Sequence, residues 1–308
     1  MLSFLPSPIR GGIAVVALML NILFWCIPLL SIAFFKLVIP IAAWREASTK
    51  MLIWIAENWI DVNKATYALL NKGEWDVQGV ENVADLSQEE WYLVISNHQS
   101  WDDILVLQTI FNRRIPFLKF FIKKNLIYVP IIGLAWWALD FPFIERYSRE
   151  YLEKHPEKKG KDLEATRKAC EKFQTTPISV VNFLEGGRFT QAKYKRQQSP
   201  YKHLLRPKAG GIALVLNLMH GRIRTLLNVT IVYPDGVPSF WEYLSGQTGR
   251  IVVRIEKSDI PARYAAGDYI NDPEFKAEFQ EWVNQLWEQK DKLIDELLEE
   301  TSPKQAVS

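Results

Sequence analysis

Cysteine is nearly absent from this 308-residue chain: Cys26 lies inside an apolar run and Cys170 in a polar helical stretch. Two thiols so placed offer neither metal-ligand spacing nor a disulfide framework, and a reducing, cytosol-facing catalytic domain is the simplest setting. Histidine is scarce too, and His98, His155, His203 and His220 show no paired ligand spacing, which argues against a metal hydrolase. A dominant charge is also missing. Lys and Arg number 37 against 35 for Asp and Glu, so no global field argues for nucleic acid, and any basic patch is local. No internal repeat occurs, and the tail TSPKQAVS reads as frayed.

Charge is missing altogether from Gly11 to Phe35, between Arg10 and Lys36. As a helix this run of 25 residues extends roughly 37 Å, enough for a hydrocarbon core of about 30 Å with tilt. A signal peptide has a shorter apolar region, and no small-x-small cleavage pattern follows. Pro28 allows either one kinked span or a two-helix hairpin dipping into a single leaflet. Trp44, Met51, Ile55 and Trp59 then mix with Arg45, Glu46 and Lys50 as in an amphipathic helix lying along the membrane interface. Trp25, Trp44, Trp54 and Trp59 suit such a wet-apolar boundary. Residues 1–70 are therefore expected to anchor the chain, and residues 71–308 to form the catalytic domain.

Beyond Lys72 short apolar runs alternate with helical stretches. Strands are expected at Trp75–Val80, Trp91–Ser96, Ile178–Glu185, Asn228–Tyr233 and Arg250–Glu256, several of them apolar on both faces. Helices are expected after Asp102, from Asp162 and from Ala209. The alternation predicts an α/β fold with a mixed, largely parallel sheet flanked by helices. A last helix repeats Phe275, Phe279, Trp282, Leu286, Leu293 and Leu297 at helical spacing, a packing stripe.

His98, in VISNHQSWDDILVL, directly follows an apolar strand, which in an α/β sheet places it at the carboxyl edge where ligands bind. If a turn brings Asp103 back, its carboxylate can orient the imidazole and leave the other nitrogen free to take a proton from a substrate hydroxyl. The same stretch also reads as a helix start, with Ser100 and Asp103 in the S-x-x-D capping pattern and two acids on the dipole. Locally the two readings are not separable. A second site, NFLEGGRFT, places Gly186 and Gly187 beside Arg188, where backbone N–H groups and a guanidinium can converge on an anion; a plain glycine turn with a solvated arginine is the alternative. Lys123 and Lys124 are joined to Arg146 through the apolar segment Leu126–Leu139, too short to span a bilayer and suited to core or to an acyl chain. The basic stretches Lys154–Lys161 and Lys193–Lys208 read as solvated faces or as contacts for anionic headgroups or the phosphates of coenzyme A.

The order NHQSWDD, KKNLIYVPIIG with FIER, FLEGGR and NVTIVYP resembles the four blocks of the glycerolipid acyltransferases that make phosphatidic acid from lysophosphatidic acid, in the bacterial branch related to lysocardiolipin acyltransferases. The resemblance implies a glycerol-3-phosphate acyltransferase-like fold, His98 as general base, Asp103 as its orienter, and Lys123, Arg146, Glu185, Gly186, Gly187 and Arg188 as acceptor-binding residues. It implies no metal or cofactor, with acyl-CoA or an acyl carrier protein thioester as cosubstrate, and an inner-membrane enzyme facing the cytoplasm. Leu184 and Gly187 depart from the usual F-P-E-G-T-R, and the fourth block lacks V-P-V, so another acceptor such as lysophosphatidylglycerol or lysocardiolipin is the alternative. A membrane lipid-binding protein without catalysis is the alternative of another class.

Overall fold

The computed structural model describes residues 4–71, 73–145, 154–155, 161–265 and 267–301. Two long helices come first, α1 (Ser7–Val38) and α2 (Ala42–Leu70). They form an antiparallel hairpin, as three cross-links show. Arg10 donates to the Leu70 carbonyl, Asn21 to the Trp59 carbonyl and to Asn63, and the Trp44 indole to the Phe35 carbonyl. Helix α1 continues through Pro28 and is long and apolar enough to cross a membrane. The second helix is longer than the interfacial segment expected, and it buries Leu52, Ile55, Ala56 and Ile60. Both ends of α1 rest on the rest of the chain. Gly11 lies against Trp241 and Ser245, where an added Cβ would come within 2.8 Å of the indole. At the other end the Lys36 ammonium meets Asp140 Oδ2 at 2.7 Å. Between these contacts Leu20, Leu23, Phe24, Ile27 and Phe34 are exposed.

The remainder is a six-stranded sheet in the order β1-β8-β7-β2-β6-β3. Its strands are β1 (Trp75–Gln78), β2 (Trp91–Ser96), β3 (Leu118–Phe120), β6 (Ser179–Phe183), β7 (Ile223–Val232) and β8 (Ile251–Asp259). All neighbours run parallel except β7 and β8. The mixed, largely parallel sheet agrees with the expectation from the sequence. Alternation along β2 shows why its run is wholly apolar: Tyr92 and Val94 enter one core, Leu93 and Ile95 the other. The first core lies under the hairpin, α3 (Asp102–Phe111) and α4 (Ile132–Ala138). The second lies under α5 (Lys161–Phe173), α7 (Gly210–Leu218) and α9 (Pro273–Thr301).

Strands β3, β4 (Ile122–Lys123) and β5 (Phe143–Ile144), and helices α4, α6 (Gln191–Gln197) and α8 (Phe240–Leu244), were not expected. All are short, and short elements carry little periodicity. Strand β7 begins at Ile223, well before Asn228. The buried line of α9 is Phe279, Val283, Trp287, Lys290, Ile294 and Leu297, so Trp282, Leu286 and Leu293 sit on its shoulder. Lys290 is tolerated there because its ammonium donates to the Val229 carbonyl at 2.6 Å and to Thr230 Oγ1 at 2.9 Å.

Candidate active site

Asn97 ends β2 by imitating one more strand residue. Its amide donates to the Ile231 carbonyl at 2.8 Å and accepts the Ile231 N–H at 2.9 Å, tying β2 to β7 where the strands stop. His98 is thereby set on the carboxyl edge of the sheet. The chain then bends around one carboxylate. Asp103 Oδ2 accepts the backbone N–H groups of Gln99 at 2.7 Å and Ser100 at 2.9 Å and meets His98 Nδ1 at 2.8 Å. Its other oxygen accepts the Tyr233 hydroxyl at 2.7 Å. With Nδ1–H donating to Asp103, the imidazole lone pair is on Nε2.

Half of the S-x-x-D pattern forms: its acid reaches back to the Ser100 N–H, while the serine hydroxyl does not accept the Asp103 N–H. The Ser100 hydroxyl meets Asp102 Oδ2 at 2.8 Å. Asp102 is buried beside it, and burial together with the Asp103 charge pushes its carboxyl up to about 7 against the Ser100 hydrogen bond.

The glycine block folds back onto this turn. Strand β6 ends at Phe183, whose ring stacks on the His98 imidazole with centroids 4.0 Å apart. Gly186 takes φ +70°, a left-handed conformation that glycine adopts at no steric cost, and so lets the chain reverse. Glu185 is buried, and its two oxygens accept backbone N–H groups of His98 at 2.7 Å and Leu205 at 3.1 Å. Burial raises its carboxyl to about 7, partly opposed by those two bonds. Phe189 N–H donates to the His98 carbonyl at 2.7 Å, so His98 is gripped on both its backbone groups.

Arg188 lies over the Trp101 ring, its Cζ 4.4 Å from the centroid. Lys193, from the first turn of α6, donates to the Arg188 carbonyl at 2.7 Å. Partial burial lowers the Lys193 ammonium, with the charges of Arg188 and Lys123 adding to the effect. Lys123 is exposed at the end of β4, which pairs with β5. Arg146 lies outside the described residues. Gly187 has no positive φ; a Cβ there would come 3.3 Å from the Lys193 ammonium, so the glycine leaves room for that side chain.

Sequence reasoning missed Asn97, Trp101 and Tyr233, and named Lys193 only as the start of a basic stretch that reads as a solvated face or as a contact for anions. Tyr233 closes an apolar run, a position that does not signal a contact with Asp103 in a distant block. Between the hairpin and the sheet lies a cavity of about 540 Å³, its wall shared by Leu18, Ile22, Trp59, Trp101, Ile104 and Tyr243. Ile132, Ala135, Trp136 and Leu139 of the apolar segment complete it, while Tyr128, Leu134 and Trp137 of the same segment are exposed. The segment thus serves as core and as surface. Among the described residues no group of three or more His, Cys, Asp or Glu is arranged to hold a metal ion.

A mixed α/β sheet with an oriented histidine at its carboxyl edge, a cationic glycine loop and an apolar chamber beside them defines a fold and a site of one class. The chain belongs to the acyltransferase family, whose model matches residues 74–234. It is 26% identical over 227 residues to 1-acyl-sn-glycerol-3-phosphate acyltransferase 3 of Arabidopsis thaliana, covering 68% of this chain and 54% of that protein. With 1-acyl-sn-glycerol-3-phosphate acyltransferase gamma of Homo sapiens it shares 24% over 219 residues, 67% of this chain and 53% of that one. The chain thus spans just over half the length of these curated relatives. The crystal structure of the 1-acyl-sn-glycerophosphate acyltransferase PlsC from Thermotoga maritima superposes with a TM-score of 0.53 at 18% identity, over 94% of this chain and 98% of that one, and so shares the fold.

Proposed function

We propose that the protein is a membrane-bound acyltransferase that moves a fatty acyl group from an acyl thioester, carried by coenzyme A or acyl carrier protein, to the free hydroxyl of a lysophospholipid. The favoured acceptor is 1-acylglycerol-3-phosphate, giving phosphatidic acid. One observation carries the reading: His98 is oriented by Asp103 at 2.8 Å, with its second nitrogen available for a substrate proton. His98 Nε2 takes the proton of the acceptor hydroxyl as its oxygen attacks the thioester carbonyl. The tetrahedral intermediate collapses, the C–S bond breaks, and the imidazolium returns the proton to the leaving thiolate.

Arg188, Lys123 and Lys193 supply the cations for the acceptor phosphate, with Arg146 carried over from the family pattern. Glu185 holds the loop through backbone N–H groups and Gly186 gives it its turn; Gly187 admits Lys193. The apolar cavity suits an acyl chain. Residues 1–70 form the anchor and 71–308 the catalytic domain. Because both ends of α1 rest on that domain, the hairpin suits a helix pair lying in one leaflet better than a free span. In a bacterial host the reading places the enzyme on the inner membrane facing the cytoplasm, where acyl thioesters are made.

The test uses the full chain in detergent with a panel of lysophospholipids and both thioester donors. His98→Ala is expected to lower turnover by about a hundred to ten thousand fold with an unchanged melting temperature. Retained turnover in that variant would sink the mechanism, and lipid binding without turnover on any donor would favour a non-catalytic lipid-binding protein.

A further inference from the structure

A second cavity, of about 450 Å³, lies between the turn of the hairpin and the starts of β3 and β6. Lys119 on its wall is in register with Val180, whereas Ser96, two residues before His98, is in register with Phe183. The cavity is therefore set back from the reaction edge, and Leu139, which lines the first cavity, is followed by Asp140, which lines the second.

Among the described residues its wall carries four cations, Lys36, Arg45, Lys119 and Lys172, and one carboxylate, Asp140. That carboxylate is shared: Lys36 meets one oxygen at 2.7 Å and Lys172 the other at 2.5 Å. Lys119 is buried and donates to the Leu139 carbonyl, with the rings of Phe117 and Phe141 5.3 and 5.0 Å away. A carbonyl and two ring faces compensate a desolvated ammonium poorly. Its pKa falls to about 7 through burial, with Lys36 and Lys172 adding to the effect and Asp140 opposing it. One carboxylate stands against four cations, and an anion placed among those cations would supply the missing negative charge.

The surroundings narrow the chemistry of that anion. Cations arrive from the hairpin, from β3 and from the end of α5, which suits a group presenting acceptor oxygens in several directions, as phosphate does. The lining residues Leu37 and Trp137 are exposed apolar surface. Phe34, Phe35, Val38 and Ile41, around the turn of the hairpin, are exposed as well. A phosphate site bordered by exposed apolar side chains matches an amphiphile.

We propose that this cavity binds the phosphate headgroup of an anionic phospholipid whose acyl chains lie along the exposed end of α1, a second lipid site separate from the reaction edge. The site anchors the turn of the hairpin at the headgroup level and joins α1, the sheet and α5 through one bound lipid. The proposal rests on the reading that the hairpin faces lipid.

The full chain is tested by flotation with phosphatidylcholine vesicles and with vesicles containing phosphatidylglycerol. Wild type is expected to bind both, and the anionic vesicles more tightly. Arg45→Gln with Lys172→Gln is expected to reduce that preference by about thirtyfold, from about 1 kcal/mol per basic residue near an anionic surface. Lys50→Gln with Lys168→Gln removes the same charge outside the cavity and is expected to reduce it less than about fivefold. Equal losses in the two doubles, or no preference in wild type, overturns the site while leaving the lipid-facing hairpin intact. Failure to bind either vesicle overturns both. Inorganic phosphate is tested separately by thermal melting in detergent: stabilisation of wild type but not of the Arg45→Gln, Lys172→Gln variant, without any vesicle preference, assigns the cavity to free phosphate and overturns the lipid.

Discussion

Tyr233 donates to the carboxylate that orients His98, and it does so from just beyond the end of β7. Removing that donor leaves the reacting atoms in place but unsettles their support. Tyr233→Phe is expected to lower kcat about tenfold, the lower end of what a hydrogen bond to a charged group contributes, about 1.5–3 kcal/mol, with KM unmoved. A carboxylate without that donor attracts the imidazolium more strongly, so the acid limb of the pH–rate profile is expected to move to higher pH; a profile that only falls in height would assign Tyr233 to stability alone. Glu185→Gln can satisfy only one of the two backbone N–H groups with its single acceptor oxygen. A loss of about 1–3 kcal/mol is expected, read from the denaturant midpoint. The pairing of His98 with Asp103 was open in the sequence because the same Asp103, three residues after Ser100, also reads as part of a helix start. The roles of Glu185 and Tyr233 were hidden, since their partners lie 87 and 130 positions away.

Elements with a sustained period were legible and short ones were not. Strand β2 shows its buried residues directly and helix α9 shows its existence but not its buried line, of which only Phe279 and Leu297 belong to the expected stripe, whereas β3 offers three residues with Lys119 at the centre. A lysine there reads as an exposed edge, yet it is buried with its ammonium on the Leu139 carbonyl. The apolar chamber was invisible for another reason: its walls come from five helices and the loop beside β3, and no single stretch of chain describes it. Ala56 and Ala135 face it from opposite elements. Ala56→Phe and Ala135→Phe are each expected to cost about 1–3 kcal/mol through overpacking and to shift the product profile toward shorter acyl chains. An unchanged profile in both variants would separate the chamber from the acyl chain.

Across the whole molecule four buried ionisable groups leave a signature in stability. Asp102 and Glu185 titrate near 7 in the folded protein, up from ordinary values of 3.8 and 4.5, so between about pH 4.5 and 7 the unfolded chain has lost protons that the folded chain keeps. Stability falls across that window as pH rises. Lys119 and Lys290 titrate near 7, down from 10.5, so above pH 7 the unfolded chain holds protons that the folded one has lost. Stability rises there. Denaturant midpoints of the full chain in detergent are therefore expected to pass through a minimum near neutrality, and a maximum at that pH would contradict the assignment of these four groups.

The contacts at the two ends of α1, with Trp241 and with Asp140, also set how substrate arrives. A helix held at both ends cannot act as a tether, so under the proposed placement the height of His98 above the bilayer is fixed. A lysophospholipid then reaches the imidazole by sliding sideways within its own monolayer. Turnover would track the mole fraction of acceptor in the surface, and adding inert lipid would slow the enzyme even with the total amount of acceptor unchanged.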